Sequence, residues 1–228
     1  MVLVELVDVT KDYGTSSSVL KEVNLGIDKS EFLVIRGRSG AGKSTLLRIL
    51  GLLDRPTSGR VVVNNTDSSN MKDSELSELR LRNFGFVFQR FNLIPALTNI
   101  ENVELPMELA GISTRERRDH SQALLRSFGL LDKGKRFPGE ISIGEQQRVA
   151  IARALANNPR VLLADEPISS VDEESAEAVL GLFREINTQR GVSVVITTTS
   201  FSEKYRSSRE LALREGSLEP LDNVRSNQ

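Results

Sequence analysis

A buried strand that runs directly into a glycine-rich loop constrains the fold of this chain more than any other feature. Residues 31–36, with apolar side chains at 32–35, predict a buried strand, and residues 44–53 have helical spacing. The loop between them matches the pattern G-x-x-x-x-G-K-[ST] and reads Gly37-Arg38-Ser39-Gly40-Ala41-Gly42-Lys43-Ser44-Thr45. This order of strand, loop and helix is typical of an α/β sheet that binds phosphate groups where the helix begins.

The residue types in this loop suit phosphate binding. Glycine lets the backbone curl so that successive N–H groups point inward at an anion. Lys43 can reach the β- and γ-phosphates of a nucleotide, and the Ser44 hydroxyl can bind Mg²⁺. We therefore predict that the whole loop, from residue 37 to residue 45, binds nucleotide phosphates.

The composition limits the classes of function. The chain has 228 residues, enough for one large domain or two small ones. Its net charge of −1 provides no basic field of the kind that nucleic-acid binding needs. It has no cysteine, which excludes disulfides and cysteine-ligated metals and is typical of a reducing compartment. It has no apolar run of about 18 residues, and its first residues predict a strand rather than a signal peptide.

Apolar patterning predicts an α/β protein with a helical insertion. Between residues 90 and 156 the strand signal disappears and helical spacing replaces it. The other predicted strands are 2–9, 23–27, 61–63, 84–88, 161–164 and 192–197, with a hairpin within 211–218. The other predicted helices are 76–82, 99–110, 115–128, 146–156 and 174–190, and residues 64–75 predict a polar loop.

Polar side chains follow two of the predicted strands. Gln89 comes directly after strand 84–88, where an amide can either cap the strand or ligate a metal. Asp165 and Glu166 follow strand 161–164, and the carboxyl ends of parallel strands are where α/β sheets hold their ligands. We interpret Asp165 as the organiser of a metal ion and Glu166 as the base that activates water.

Tyr13 lies in the loop between the first two predicted strands. Its ring could be a core anchor, but its neighbours Asp12 and Gly14 favour exposure. An exposed ring at this position could stack on the base of a nucleotide.

The order and spacing of these motifs resemble the nucleotide-binding subunit of ATP-binding cassette (ABC) transporters over nearly the whole chain. Within that family, residues 91–95 and 101–106 resemble the branch of lipoprotein-release, macrolide-export and cell-division ATPases. The matching stretches are Walker A (37–45), the Q-loop (Gln89), the LSGGQ signature (141–145) with its helix (146–155), Walker B (161–166) and the D-loop (169–172), and Tyr13 falls at the adenine-stacking aromatic.

The resemblance implies a single domain over residues 1–228 with a P-loop NTPase (RecA-like) core. Residues 1–88 and 157–228 would form this core and an antiparallel β subdomain, and residues 89–156 the helical subdomain. It also implies a homodimer or heterodimer that sandwiches ATP and Mg²⁺. Walker A and B of one subunit would face the signature and D-loop of the other, which for this chain are Ser142, Gly144 and Asp172.

The resemblance also assigns roles and partners. Lys43, Gln89 and Glu166 would be catalytic, and Ser44, Gln89 and Asp165 would hold Mg²⁺. ATP hydrolysis would drive a separate integral membrane subunit, docked in a groove around Gln89 and the helical insertion. The chain would then be cytoplasmic and peripheral to the inner face of the cell membrane, with no nucleic-acid partner.

Two departures from the family pattern predict slow turnover by the chain alone. Ile143 stands after the signature serine, where the family has glycine, and a β-branched side chain blocks close approach to the γ-phosphate and resists positive φ. Thr198 stands in the place of the switch histidine and is too short to bridge Glu166 and the γ-phosphate. Smaller departures are Ser30 for a turn glycine and Ile168-Ser169 for Thr-Gly in the D-loop.

Three functions are compatible with the sequence to different degrees. The first is a transport-type ATPase, which the intact Walker residues favour. The second is a module that binds ATP and dimerises but barely hydrolyses it, which Ile143 and Thr198 favour. A soluble cassette protein acting on DNA or ribosomes is disfavoured, because neither tandem cassettes nor a coiled-coil insertion is visible. The transported substrate and its direction stay open.

Overall fold

Two β-sheets form the framework of the computed structural model, which describes residues 1–14, 18–200, 205 and 207–221. The antiparallel sheet has the order β2 (Leu20–Asp28), β1 (Val2–Lys11), β4 (Ser58–Val63) and β5 (Thr66–Asp67). The second sheet has the order β10 (Ser217–Pro220), β9 (Arg209–Arg214), β3 (Phe32–Arg36), β8 (Ser193–Thr198), β7 (Val161–Asp165) and β6 (Phe84–Val87). The strands of the second sheet from β9 to β6 are parallel, and β10 is an antiparallel edge.

The helices follow the predicted order. They are α1 (Lys43–Leu50), α2 (Asp73–Asn83), α3 (Asn99–Leu109), α4 (Thr114–Ser127), α5 (Ile143–Leu155) and α6 (Glu173–Arg190). In the described residues, none of these helices combines the length and the apolar composition that a bilayer span requires.

Most element boundaries differ from the sequence prediction by one to three residues, and two of the differences have a clear description. Helix α5 begins at Ile143 rather than at Gln146, because Ser142 and Glu145 form a capping box that starts the helix earlier. The predicted polar loop 64–75 contains the short strand β5 and the first turn of α2.

The parallel sheet is covered on both faces, as parallel strands require. Alternate residues of β3 belong to different cores, with Val34 in one and Leu33 and Ile35 in the other. The first core also contains residues of α3 to α6, and the second contains residues of α1 and the antiparallel sheet. The strand that leads into the glycine-rich loop is therefore packed on both faces.

A buried arginine ends β3 directly before the glycine-rich loop. The Arg36 side chain is 1% exposed, and its Nε and Nη2 lie 2.9 and 3.0 Å from the two carboxylate oxygens of Glu210. It also donates to the carbonyl of Ser200 and lies over the ring of Tyr205. A buried guanidinium is tolerated when it is paired in this way, and the pairing ties β3 to β9 and to the segment after β8.

Candidate active site

The glycine-rich loop encloses its own lysine. Gly40 and Gly42 have φ of 78° and 98°, a left-handed backbone that side chains other than glycine rarely adopt. Lys43 Nζ donates to the carbonyls of Gly37 and Arg38, at 3.0 Å each, and its side chain is only 5% exposed. The ammonium group therefore lies within the loop where the sequence predicts phosphate binding.

Glu166 directly follows β7, which is separated from β3 by β8, and its carboxylate contacts this lysine. Its Oε1 lies 3.2 Å from Lys43 Nζ. Its φ of 46° is unusual for a residue other than glycine, and its backbone N–H donates to the Thr197 carbonyl at 3.0 Å while its carbonyl accepts from Ser169. Backbone strain of this kind persists where the surrounding structure enforces it, and it is common at functional sites.

Asp165 and Ser44 line one cavity between Walker A and Walker B. The cavity has a volume of about 390 Å³ and is also bordered by Phe88 and Asn92. Thr197 Oγ1 donates to Asp165 Oδ1 at 2.6 Å, which fixes the orientation of the carboxylate. A hydroxyl and a carboxylate are oxygen ligands of the kind that Mg²⁺ prefers.

Gln89 lies beyond the end of β6 and is exposed. It is not among the residues that line the cavity of Ser44 and Asp165, so its roles in catalysis and metal binding stay predictions. The segment that follows it is held by α5, because Arg153 donates to the carbonyls of Phe91 and Asn92 at 2.6 Å each. Helix α5 therefore touches the Q-loop with its C-terminal half and carries the signature at its N-terminus.

The structure places the Thr198 side chain away from Glu166, while its correspondence to the switch histidine of the family stays a prediction. The Thr198 side chain is buried, and its hydroxyl accepts a hydrogen bond from the Tyr205 hydroxyl at 2.9 Å. Thr199 Oγ1 lies 3.5 Å from Glu166 Oε2. The residue that faces the predicted base is therefore Thr199.

The signature residues form a second group at the tip of α5. The Ser142 hydroxyl caps the helix, and a Cβ atom added at Gly144 would lie 3.0 Å from Ser175 Oγ. Ser175 in turn donates to Asp172, the N-cap of α6. In the part of the chain that the structure describes, no hydrogen bond or ion pair joins Ser142 or Asp172 directly to Lys43.

The predicted backbone strain at Ile143 is not observed. It is the first residue of α5 and is not among the residues with positive φ, so its backbone is not strained. Its side chain is 54% exposed. Steric bulk at the helix tip is therefore the property that separates Ile143 from glycine.

Tyr13 is exposed, as its neighbours in the sequence predicted. Its side chain is 51% exposed, Lys11 Nζ lies 4.9 Å from its ring centroid, and its hydroxyl donates to Asp54 Oδ2 at 2.9 Å. Burial raises the pKa of Asp54, but hydrogen bonds from Lys11 and Tyr13 outweigh it and lower that pKa below its ordinary value. The hydroxyl is therefore anchored, and its stacking role stays a prediction.

The enclosed lysine and the carboxylates at the end of another parallel strand of the same sheet, with one strand between the two, define a P-loop nucleotide-binding protein. The sequence profile of the ABC transporter family matches residues 20–169. The chain belongs to this family, as an ABC ATPase cassette, and the resemblance and fold class predicted from the sequence are confirmed.

Relatives of known sequence or structure agree with this membership. An uncharacterised ABC transporter ATP-binding protein of Thermotoga maritima is 43% identical over 96% of this chain and 95% of its own length. The macrolide export ATP-binding/permease protein MacB of Hyphomonas neptunium is 41% identical over 95% of this chain and 34% of its own length. The ATP-binding cassette MJ0796 of Methanocaldococcus jannaschii, solved as a dimer in a post-hydrolysis state with ADP and Pi, is 41% identical with a TM-score of 0.87. That alignment covers 96% of this chain and 99% of the solved chain.

Proposed function

We propose that this chain binds Mg²⁺–ATP at Lys43 and hydrolyses it as one half of a dimer that drives a separate integral membrane subunit. One observation carries the proposal: Lys43 Nζ contacts both the carbonyls of its own loop and the carboxylate of Glu166. A phosphate-binding cation and a candidate base therefore lie close together, and phosphoryl transfer to water uses both kinds of group at one site.

The residues around Lys43 would have different roles in ATP hydrolysis. Lys43 would exchange its contacts with the loop carbonyls and with Glu166 for phosphate oxygens. Glu166 would then be free to accept a hydrogen bond and a proton from water. Ser44 and Asp165 would hold Mg²⁺, with Gln89 as a further ligand. When bound, Mg²⁺ would neutralise charge on the phosphates.

The second half of the site would come from another subunit. Ser142, Gly144 and Asp172 lie together at the tips of α5 and α6, as a group separate from Lys43 in the chain's own contacts. The dimeric state of the 41% identical cassette MJ0796 supports a second copy of this chain as the partner. A different cassette that carries the same motifs is the alternative.

The membrane subunit would dock in a groove beside the Q-loop. The groove has a volume of about 870 Å³ and is formed by α2, β6, α3 and α5. Its apolar lining includes Leu81, Phe86, Phe88, Leu105 and Leu109, and Leu109 is 71% exposed. A short helix of the membrane subunit is the occupant we propose, and it would place the chain at the cytoplasmic face of the membrane. The fused permease named in the relative MacB supports such a partner.

Steady-state ATP hydrolysis tests the whole proposal. The purified chain is expected to hydrolyse Mg²⁺–ATP, and the rate is expected to rise when the membrane subunit is co-expressed and co-purified. No hydrolysis in either sample would favour the alternative, a module that binds ATP and dimerises without appreciable turnover.

Tyr13→Ala is expected to weaken ATP binding by roughly tenfold, because base–aromatic stacking contributes about 1–3 kcal/mol. Tyr13→Phe is the matched control, since it loses the hydrogen bond to Asp54 but keeps the ring. Calorimetry with ATP and GTP would separate the two contributions. Equal loss in both variants would assign Tyr13 a structural role through Asp54 instead.

Ile143→Gly combined with Thr199→His is expected to raise turnover at least roughly tenfold, a barrier change of about 1.4 kcal/mol. Glycine at position 143 lets the tip of α5 approach the γ-phosphate closely, and histidine at position 199 adds a hydrogen-bond donor beside Glu166. Thr198→His is the matched control. It should only destabilise the fold, because Thr198 is 4% exposed. A parent chain that already turns over as fast as the double variant would show that neither position limits the rate.

A further inference from the structure

The first turn of α5 carries a carboxylate beside the serine that would meet a nucleotide. Glu145 stands where the LSGGQ pattern has a neutral glutamine. Its Oε2 accepts a hydrogen bond from the Ser142 N–H at 2.8 Å, and Ser142 Oγ accepts one from the Glu145 N–H at 3.3 Å. The Ser142 hydroxyl also hydrogen-bonds to the Glu145 carboxylate, so the two residues form a reciprocal capping box at the tip of α5.

The other oxygen of this carboxylate is paired with a lysine from a different segment. Lys133 ends the 3₁₀ turn Leu131–Lys133, and its ammonium forms a hydrogen-bonded ion pair with Glu145 Oε1. The side chains of the two residues are 28% and 14% exposed. Lys133 and the Ser142 N–H lower the pKa of Glu145, so the carboxylate is ionised at neutral pH.

The backbone of Lys133 is held independently of its side chain. Asn99 Nδ2 donates to the Lys133 carbonyl at 3.0 Å, and the Lys133 N–H donates to the Leu130 carbonyl at 3.0 Å. A neutral side chain at position 133 would therefore change the charge beside Glu145 without releasing the turn.

We propose that Lys133 is a positioning residue that neutralises Glu145, so that the tip of α5 can accept the γ-phosphate of a nucleotide held by a second copy of the chain. The inference rests on the proposed function. A carboxylate without its cation would repel a polyphosphate and cancel the positive end of the helix. With Lys133 in place the pair has no net charge, and the first N–H groups of α5 act on the phosphate unopposed.

ATP-driven dimerisation in a Glu166→Gln background tests this role. Light scattering would give the Mg²⁺–ATP concentration that dimerises half of the chains, and calorimetry on the monomer would give the ATP affinity of Walker A. Lys133→Gln is expected to raise the dimerisation midpoint by about five- to tenfold, as an uncompensated interface charge does. It should leave the monomer affinity unchanged. The added cost should shrink at about 0.5 M salt, because screening weakens the repulsion.

Two further variants make the test specific. Lys133→Gln combined with Glu145→Gln should restore the midpoint of the Glu166→Gln parent, because no charge is then left to neutralise. Lys135→Gln makes the same charge change two residues away on an exposed side chain and should have no effect. An unchanged midpoint in Lys133→Gln, or a double variant as weak as Lys133→Gln, would overturn the neutralising role. Failure of the Glu166→Gln parent to dimerise would instead overturn the proposed sandwich dimer.

Discussion

Glu166→Gln is expected to keep ATP binding and to lose ATP turnover by about 10²–10⁴-fold. The substitution preserves the shape of the side chain and removes its ability to accept a proton. Glu166 is the carboxylate that contacts Lys43, and its unusual φ of 46° is held by Thr197 and Ser169. No other carboxylate among the described residues forms an ion pair with Lys43.

Steady-state phosphate release and equilibrium ATP binding should both be measured on this variant. Glu177→Gln, an exposed position on α6, is the matched control and should behave as the parent. Parental turnover in Glu166→Gln would place the base elsewhere in the site.

Lys43→Ala is expected to weaken ATP binding by roughly a hundredfold or more, about 2.7 kcal/mol. Charge-assisted hydrogen bonds to phosphate are among the strongest in proteins, and Lys43 is the cation enclosed by the glycine-rich loop. Calorimetry would measure the affinity, with Lys29→Ala, an exposed lysine, as the control for net charge. Thermal unfolding should accompany it, because the carbonyls of Gly37 and Arg38 lose their partner. Unchanged affinity in a folded variant would refute the phosphate-binding role.

Walker A could be predicted from sequence because its requirements are local. The left-handed backbone at Gly40 and Gly42 needs glycine, and the helix start needs the loop directly before it. Walker B could be predicted for the same reason. An apolar run followed by Asp165-Glu166 predicts a buried strand with carboxylates at its end. In each case the chemistry and the structure lie within one short stretch of chain.

Which threonine contacts Glu166 could not be predicted from sequence in the same way. Three threonines follow one another at 197–199, and composition does not tell which of them faces the site. That choice depends on the pairing of β8 with β7, which puts Thr197 opposite Asp165 and buries the hydroxyl of Thr198 on Tyr205. The contact between Thr199 and Glu166 is therefore seen only in the folded structure.

Two ion pairs also could not be predicted from the sequence, because the two partners of each pair are distant in the chain. The sequence predicted Arg36 only as the last residue of a buried strand. Its partner Glu210 lies 174 positions away in the chain. Lys133 and Glu145 are separated by 12 residues and by a break in the chain at Pro138. The start of α5 did leave a local signal, since Ser142 and Glu145 have the spacing of a capping box.

The claim that two copies complete each other's nucleotide sites is tested most directly by the mass of the Glu166→Gln chain in solution. With saturating Mg²⁺–ATP we predict a particle of twice the chain mass of 25.2 kDa, and with ADP or without nucleotide a particle of the single-chain mass. A chain that binds ATP by calorimetry and yet keeps the single-chain mass at every ATP concentration would contradict the claim.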